Sequence, residues 1–290
     1  MSLQLITSFR NYLQQAGYSK KTSTKLPACA GEFLSYSHTV SLEEITTEHV
    51  MEFYRWLQVR PNQRRSGGLS EVYIYEHIYA LRVLFGWLEE CGDILHNPMN
   101  TVLIKQPKSM ERQPLSREEI KKLFDTCTSF KELVLLHLFY SCGLRREEAV
   151  LLDLRDVNLN QRLLYVRSGK GGKRRVVPLT EKVSGDMKNY ILHEREVKNS
   201  NDTEAFMVNQ AGRRMSGQNC IHLLKELLTR AEMKEQAYTL HHLRHSIATH
   251  LLENGLSMEE VREFLGHRHL ESTQVYVKVS EKQLQTMTNE

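Results

Sequence analysis

Leu163–Pro178 reads LLYVRSGKGGKRRVVP, and its reading decides the fold. Leu163 to Arg167 and Arg174 to Pro178 are short runs containing apolar and β-branched residues, and Ser-Gly-Lys-Gly-Gly separates them. Glycine takes the positive φ of a tight reversal at little steric cost, so the stretch predicts a β-hairpin. Its surroundings read as helix. Leu133–Tyr140 is an apolar run followed by Gly143 and is expected to be a buried helix. Further helices are expected near 181–197, 217–232, 240–253 and 258–265, with a last short one over 272–279. Ser116 with Glu119, and Ser257 with Glu260, form capping boxes, in which each side chain satisfies an orphan backbone N–H of the other residue. The expected fold is mainly α with a small antiparallel β-sheet.

Upstream, the chain reads as helices alone. Leu3, Ile6, Phe9 and Leu13 recur at helical spacing. Further helices are expected over 30–37, 47–57 and 71–91, the last ended by Gly92. Arg60–Ser70 (RPNQRRSGGLS) is a loop by composition. Ile104–Pro114 (IKQPKSMERQP) has two prolines and few apolar residues, as an interdomain linker does. The expected division is a helical domain over 1–103, a linker over 104–114 and a second domain over 115–290.

Of the 290 residues, 40% are hydrophobic and 26% charged, which excludes disorder along the whole chain. No apolar run approaches the ~20 residues that span a bilayer, and no signal peptide opens the chain, so no membrane partner is expected. The five cysteines, Cys29, Cys91, Cys127, Cys142 and Cys220, are scattered and lack CxxC spacing. Reduced thiols and a cytoplasmic location are expected. The net charge of +4 is unevenly placed. Residues 1–106 carry 10 basic and 10 acidic side chains, and residues 107–290 carry 29 and 25. The densest basic run, Arg167–Arg175, holds five cations and no acid. Such placement is compatible with nucleic acid.

The residues suited to chemistry fall in five segments. Arg145 follows a glycine turn at the end of the apolar helix; taken alone, an arginine is ordinarily a surface residue. Lys170, with Lys173, Arg174 and Arg175 beside it, lies at or next to the hairpin tip, as a solvated turn or a phosphate-tracking loop. The GxxxxGK[ST] spacing of a P-loop is absent. His241 and Arg244 are three apart on one helix face. His245, four from His241, suggests a metal site, but Arg244 in the same stripe opposes a bound cation and no carboxylate completes a ligand set, so no metal is expected. His245 and His250 are expected as buried packing residues. Tyr276 follows His267 by nine residues, and a phenol needs neighbouring cations before it can serve as a nucleophile. Together these residues suit a phosphodiester: two arginines bind its oxygens, lysine or histidine protonates a leaving alkoxide, and tyrosine attacks phosphorus. No cofactor is required.

On GLRREEAVLLDLRDV (143–157), SGKGGKRRVVPL (168–179), HHLRHSIATHLLENG (241–255) and LGHRHLESTQVYVKV (265–279), the chain resembles the tyrosine recombinases, also called phage-type integrases, and in size their compact Xer-like members. The motifs occur in family order and cover most of 107–290; the first hundred residues match more loosely. The resemblance implies that Arg145 and Arg244 clamp the scissile phosphate, that Lys170 is the general acid, that His241 assists proton transfer, that His267 hydrogen-bonds the phosphate and that Tyr276 forms a 3′-phosphotyrosine. Glu148 and Asp156 match supporting acidic positions, near Arg145 and the turn after it. The resemblance further implies a two-domain DNA clamp, with a helical core-binding domain and an α+β catalytic domain. It implies a tetramer on double-stranded DNA bearing paired inverted-repeat core sites, with room for a partner recombinase or accessory protein. Lys20, Lys21, Lys25, Arg60, Arg64, Arg65, Lys173, Arg174 and Arg175 are the expected DNA contacts. The chain departs from the family pattern at Glu147, where serine is common, and at Leu240, where proline is frequent.

The reaction expected is site-specific cleavage and rejoining of DNA, for integration, excision, inversion or dimer resolution. A type IB topoisomerase-like relaxing enzyme shares the tyrosine chemistry. A catalytically silent DNA-binding protein is the reading from a different class.

Overall fold

The computed structural model of the chain describes residues 2–37, 41–62, 66–107, 113–167, 174–195, 204–234 and 237–266. Two compact units divide it, Met1–Met110 and Glu111–Glu290.

The described part of the first unit is helical: α1 (Ser2–Gln15), α2 (Lys20–Tyr36), α3 (Thr47–Val59) and α4 (Glu71–Cys91). Helix α2 starts ten residues before its expected position. Ser19 caps it, its Oγ accepting from Thr22 N–H at 3.2 Å, and the chain stays helical through Pro27. Proline removes a helix donor, but Pro27 is buried between Leu26 and Cys29, and packing outweighs the local penalty. Helix α4 ends as its glycine predicts: Gly92 has φ 77°, and Asp93 N–H reaches Leu88 O at 2.9 Å. The core is aromatic. Phe33 meets Phe53 and Phe85 edge-on, with centroids 5.2 and 6.0 Å away.

In the second unit, α5 (Arg117–Asp125) opens on the expected capping box: Ser116 N–H donates to Glu119 Oε2 at 2.8 Å, and Glu119 N–H donates to Ser116 Oγ at 3.2 Å. The apolar run forms α6 (Phe130–Leu136) and then a π-helical turn, His137–Ser141. Buried His137 bonds Ser141 Oγ at 3.0 Å and Asp186 Oδ2 at 2.9 Å across this widened turn. Helix α7 (Arg146–Val150) follows, then the sheet. Strands β2 (Leu163–Val166) and β3 (Arg175–Pro178) pair antiparallel from Leu163↔Pro178 to Val166↔Arg175. Their expected tip, 168–173, lies outside the described residues. A two-residue strand, β1 (Val157–Asn158), was too short to carry a period-2 signal; it adds to β2. The order is β1-β2-β3. Helix α8 (Glu181–Asn189) runs into a second π-helical turn, Tyr190–Glu194. Helices α9 (Gly217–Arg230), α10 (Leu240–Glu253) and α11 (Met258–Leu265) complete the unit. The helix expected over 272–279 lies outside the described residues. Among the described residues, no helix is long and apolar enough to cross a membrane.

The cysteines are free thiols, and their environments differ. Burial pushes Cys127 and Cys142 up to about 12, and Cys29 and Cys220 up to about 11. Cys91 is exposed. An aromatic disulfide reagent at pH 8 should therefore titrate one thiol rapidly in the folded protein and all five after denaturation. Rapid labelling of several thiols in the folded state would contradict this packing.

Candidate active site

Gly143 ends the α6 segment at φ 57°, a conformation that disfavours a side chain. A Cβ there would also lie 2.8 Å from Leu265 Cδ2 and 3.3 Å from Phe264 Cε1. The turn delivers Arg145 as N-cap of α7. Glu148, one helical turn on, reaches back to it: Arg145 N–H donates to Glu148 Oε2 at 2.8 Å, and Arg145 Nη1 donates to Glu148 Oε1 at 2.8 Å. A carboxylate in the first turn also complements the positive end of the helix.

Two more arginines converge on the same carboxylate. Arg175, from β3, donates from Nη1 to Glu148 Oε1 at 3.0 Å and from Nη2 to Oε2 at 2.8 Å. Arg244, on α10, donates from Nη1 to Gly143 O and from Nη2 to Leu265 O at 2.6 Å. Its Nη1 lies 3.8 Å from Glu148 Oε2. The side chains of Glu148, Arg175 and Arg244 are 2%, 5% and 5% exposed, whereas Arg145 is 23% exposed and forms the open edge of the cluster. Residues distant in sequence thus meet at one point.

The electrostatics follow. Burial opposes ionisation of Glu148, but the hydrogen bonds and charge of Arg175, then those of Arg145, outweigh it and hold the pKa at about 2. Burial and the charges of Arg145 and Arg175 lower Arg244 to about 9, against the pull of Glu148. It remains a cation at neutral pH. Removing Glu148 would leave the buried guanidiniums of Arg175 and Arg244 without their shared carboxylate.

His241 is exposed in the first turn of α10, three residues before Arg244. Asp156 is buried in the turn after α7, where its Oδ2 accepts from Asp153 N–H at 3.0 Å and its Oδ1 pairs with Arg167. Glu148, and not Asp156, is the acid on Arg145. Lys170, Lys173, His267, Tyr276, Arg64 and Arg65 lie outside the described residues.

Three expectations change. Arg175 is not a solvent-facing phosphate contact; it is buried in a bidentate pair with Glu148. The sequence signal was the strand alternation: Arg175 and Val177 share a face, and Val177 is buried. Arg60 is 10% exposed, paired with Glu32 and stacked 5.0 Å over Trp56. Lys25 pairs with Glu76 but keeps 40% of its side chain exposed, so the pair leaves its expected contact unchanged. His245 is exposed, not buried; His250 is buried, its Nδ1 2.9 Å from Tyr140 Oη. Lys20, Lys21 and Arg174 are exposed.

Residues 113–283 match the model of the Phage integrase family. The chain belongs to that family. Tyrosine recombinase XerD of Oceanobacillus iheyensis is 31% identical, over 97% of this chain and 96% of its own length. Tyrosine recombinase XerA of Pyrococcus furiosus is 30% identical, over 97% and 91%. Among solved structures, the Tn1549 transposon integrase in complex with circular intermediate DNA is 15% identical with TM-score 0.72, over 96% of this chain and 98% of its own. XerH recombinase bound to difH substrate is 21% identical with TM-score 0.64, over 97% and 84%; at these identities the two structures bear on the fold alone. As a member of the tyrosine recombinases, the chain is a site-specific DNA breaking and rejoining enzyme.

Because the folded pKa of Glu148 lies below its ordinary 4.5, its stabilising contribution is complete above that value and is lost as pH falls towards 2. The melting-temperature gap between wild type and Glu148→Gln should be constant from about pH 7 to 5 and narrow below about 4.5. A gap unchanged down to about pH 3 would contradict the assignment.

Proposed function

We propose that this recombinase cleaves one strand of each core site through a covalent 3′-phosphotyrosine and rejoins it to the partner duplex. The observation that carries the reading is the convergence of Arg145 and Arg244 on Glu148, at the turn leading into residue 267. In this reading Arg145 and Arg244 bind the non-bridging oxygens of the scissile phosphate, and charge developing in the pentavalent transition state meets fixed guanidinium donors. The Tyr276 oxygen attacks phosphorus as the bond to the 5′-oxygen breaks. Lys170 gives the leaving oxygen its proton, His241 assists the transfers and His267 hydrogen-bonds the phosphate. In rejoining, a 5′-hydroxyl attacks the phosphotyrosine and the phenol leaves. One phosphoester replaces another at each step, so ATP is not consumed.

The clamp belongs to the same proposal. The unit over 1–103 binds one face of double-stranded DNA, the unit over 115–290 binds the other, and 104–114 links them. Of the expected DNA contacts that are described, Lys20, Lys21 and Arg174 are exposed and Lys25 is half-exposed, as phosphate contacts require. Four protomers act on two duplexes whose core sites are paired inverted repeats, since paired subunits impose two-fold symmetry on the site. Action on chromosomal DNA places the protein in the cytoplasm. A partner recombinase or accessory protein is compatible with the assembly.

The test begins with the DNA around the gene, searched for inverted repeats of about one helical turn separated by a short spacer. A nicked duplex carrying that site should trap an SDS-stable adduct with the wild-type protein and none with Tyr276→Phe. Persistence of the adduct in Tyr276→Phe would remove the nucleophile assignment. Relaxation of supercoiled plasmids lacking the site would favour a topoisomerase-like enzyme, and binding without any adduct a silent DNA-binding protein. The adduct should form equally well in excess EDTA; its loss there would argue for a metal-dependent reaction.

A further inference from the structure

Arg175 has no place in the roles described above, yet it makes the most complete contact in the cluster. Both of its terminal nitrogens are on Glu148, at 3.0 and 2.8 Å, and its side chain is 5% exposed. Glu148 also holds Arg145 by two bonds and lies 3.8 Å from Arg244. Three guanidiniums around one carboxylate leave a formal charge of +2. Without Arg175 the charge would be +1, and Glu148 would neutralise one of the two arginines proposed to face the phosphate.

Arg175 also joins three segments. It pairs with Val166 at the foot of the hairpin whose connecting stretch contains Lys170. It bonds α7 through Glu148. A Cβ on Gly266 would lie 3.1 Å from both its Cδ and its Nη1, so it packs against the turn that precedes His267. Gly266 has φ 75°, and a side chain there would be disfavoured on both counts.

We propose that Arg175 is a positioning residue for strand cleavage: it neutralises Glu148, which leaves Arg145 and Arg244 their full charge towards the scissile phosphate, and it ties the hairpin foot to the turn before His267. A phosphodiester carries one negative charge, and the pentavalent transition state carries two. A cluster of +2 matches the second better than the first, which is the differential binding that accelerates a reaction. The proposal rests on the phosphotyrosine reading above and adds a residue outside the set expected to touch the phosphate.

The experiment is single-turnover cleavage of the nicked core-site duplex at saturating protein, with DNA affinity and melting temperature measured beside it. Arg175→Met should slow cleavage about 100-fold, the scale of losing one fixed transition-state donor, with DNA affinity little changed. Arg175→Lys keeps the charge and loses the bidentate geometry, so it should fall between wild type and Met. The deciding variant is the double, Arg175→Met with Glu148→Gln. It restores the charge of +2 and removes a buried carboxylate that has lost its bidentate partner, so it should cleave about tenfold faster than Arg175→Met alone and melt at a higher temperature. A purely structural arginine predicts the opposite, a double variant no faster than the worse single. If wild type forms the adduct and the two losses simply add, the inference fails. If wild type forms no adduct on its own site, the phosphotyrosine reading fails, and the melting temperatures still decide whether Arg175 neutralises Glu148.

Discussion

Glu148 is a carboxylate almost wholly removed from water; the guanidiniums of Arg145 and Arg175 hydrogen-bond its oxygens, and that of Arg244 lies 3.8 Å away. An isolated charge in that position would be expelled or neutralised, because desolvating an ion costs several kcal/mol even after relaxation. Here the carboxylate is the cheapest place for Arg175 to be buried, and Arg175 is what keeps Glu148 ionised. The same carboxylate accepts the backbone N–H of Arg145, so the start of α7 is held by the group that sets the side chain's direction. The positions of β3, α7 and α10 are consequently linked through one charged residue.

The packing around this cluster explains its precision. Arg244 is anchored on two main-chain carbonyls, Gly143 O and Leu265 O, which belong to the end of the α6 segment and the end of α11. Carbonyls at helix ends lack intrahelical partners, and a buried guanidinium is a strong donor for them. Gly143 permits the close approach of Leu265 and Phe264 that brings those ends together. Arg145, the most exposed of the three arginines, is left with the freedom to meet a ligand.

The first unit uses its charge differently. Residues 1–106 carry ten basic and ten acidic side chains, so this stretch has no net charge. Part of the balance is internal. Arg60 pairs with Glu32, whose other oxygen is 2.9 Å from buried His77, and Lys25 pairs with Glu76. Both acids line a cleft of about 950 Å³ with Arg60, Ser70 and Tyr73. Arg60 is thereby largely withdrawn from the surface, whereas Lys25 stays half-exposed. Lys20 and Lys21, at the start of α2, carry charge outward.

Much of this was legible in the chain itself. Periodicity, caps and glycines located α4, α5, α10 and α11, because those signals act within one or two helical turns. The hairpin was legible from two short runs around a glycine-rich stretch; Arg145 and Arg244 stood out by residue type and position, and Glu148 only through the resemblance to the tyrosine recombinases. Helix α2 was not, since Pro27 argues locally for a break and only burial against α1 and α4 overrides it. Strand β1 was not, being two residues long. The π-helical turn at His137–Ser141 was not either; its His137 bonds Asp186, 49 residues away. Arg175 was misplaced for the same reason: five cations in nine residues resemble a solvated run. Sequence alone singled out residues suited to the chemistry and most of the described helices, because propensity, capping and spacing are local. The tertiary structure alone decided that Arg175 faces inward, because only the arrival of Glu148 from another element makes a buried guanidinium cost less than an exposed one would cost the carboxylate.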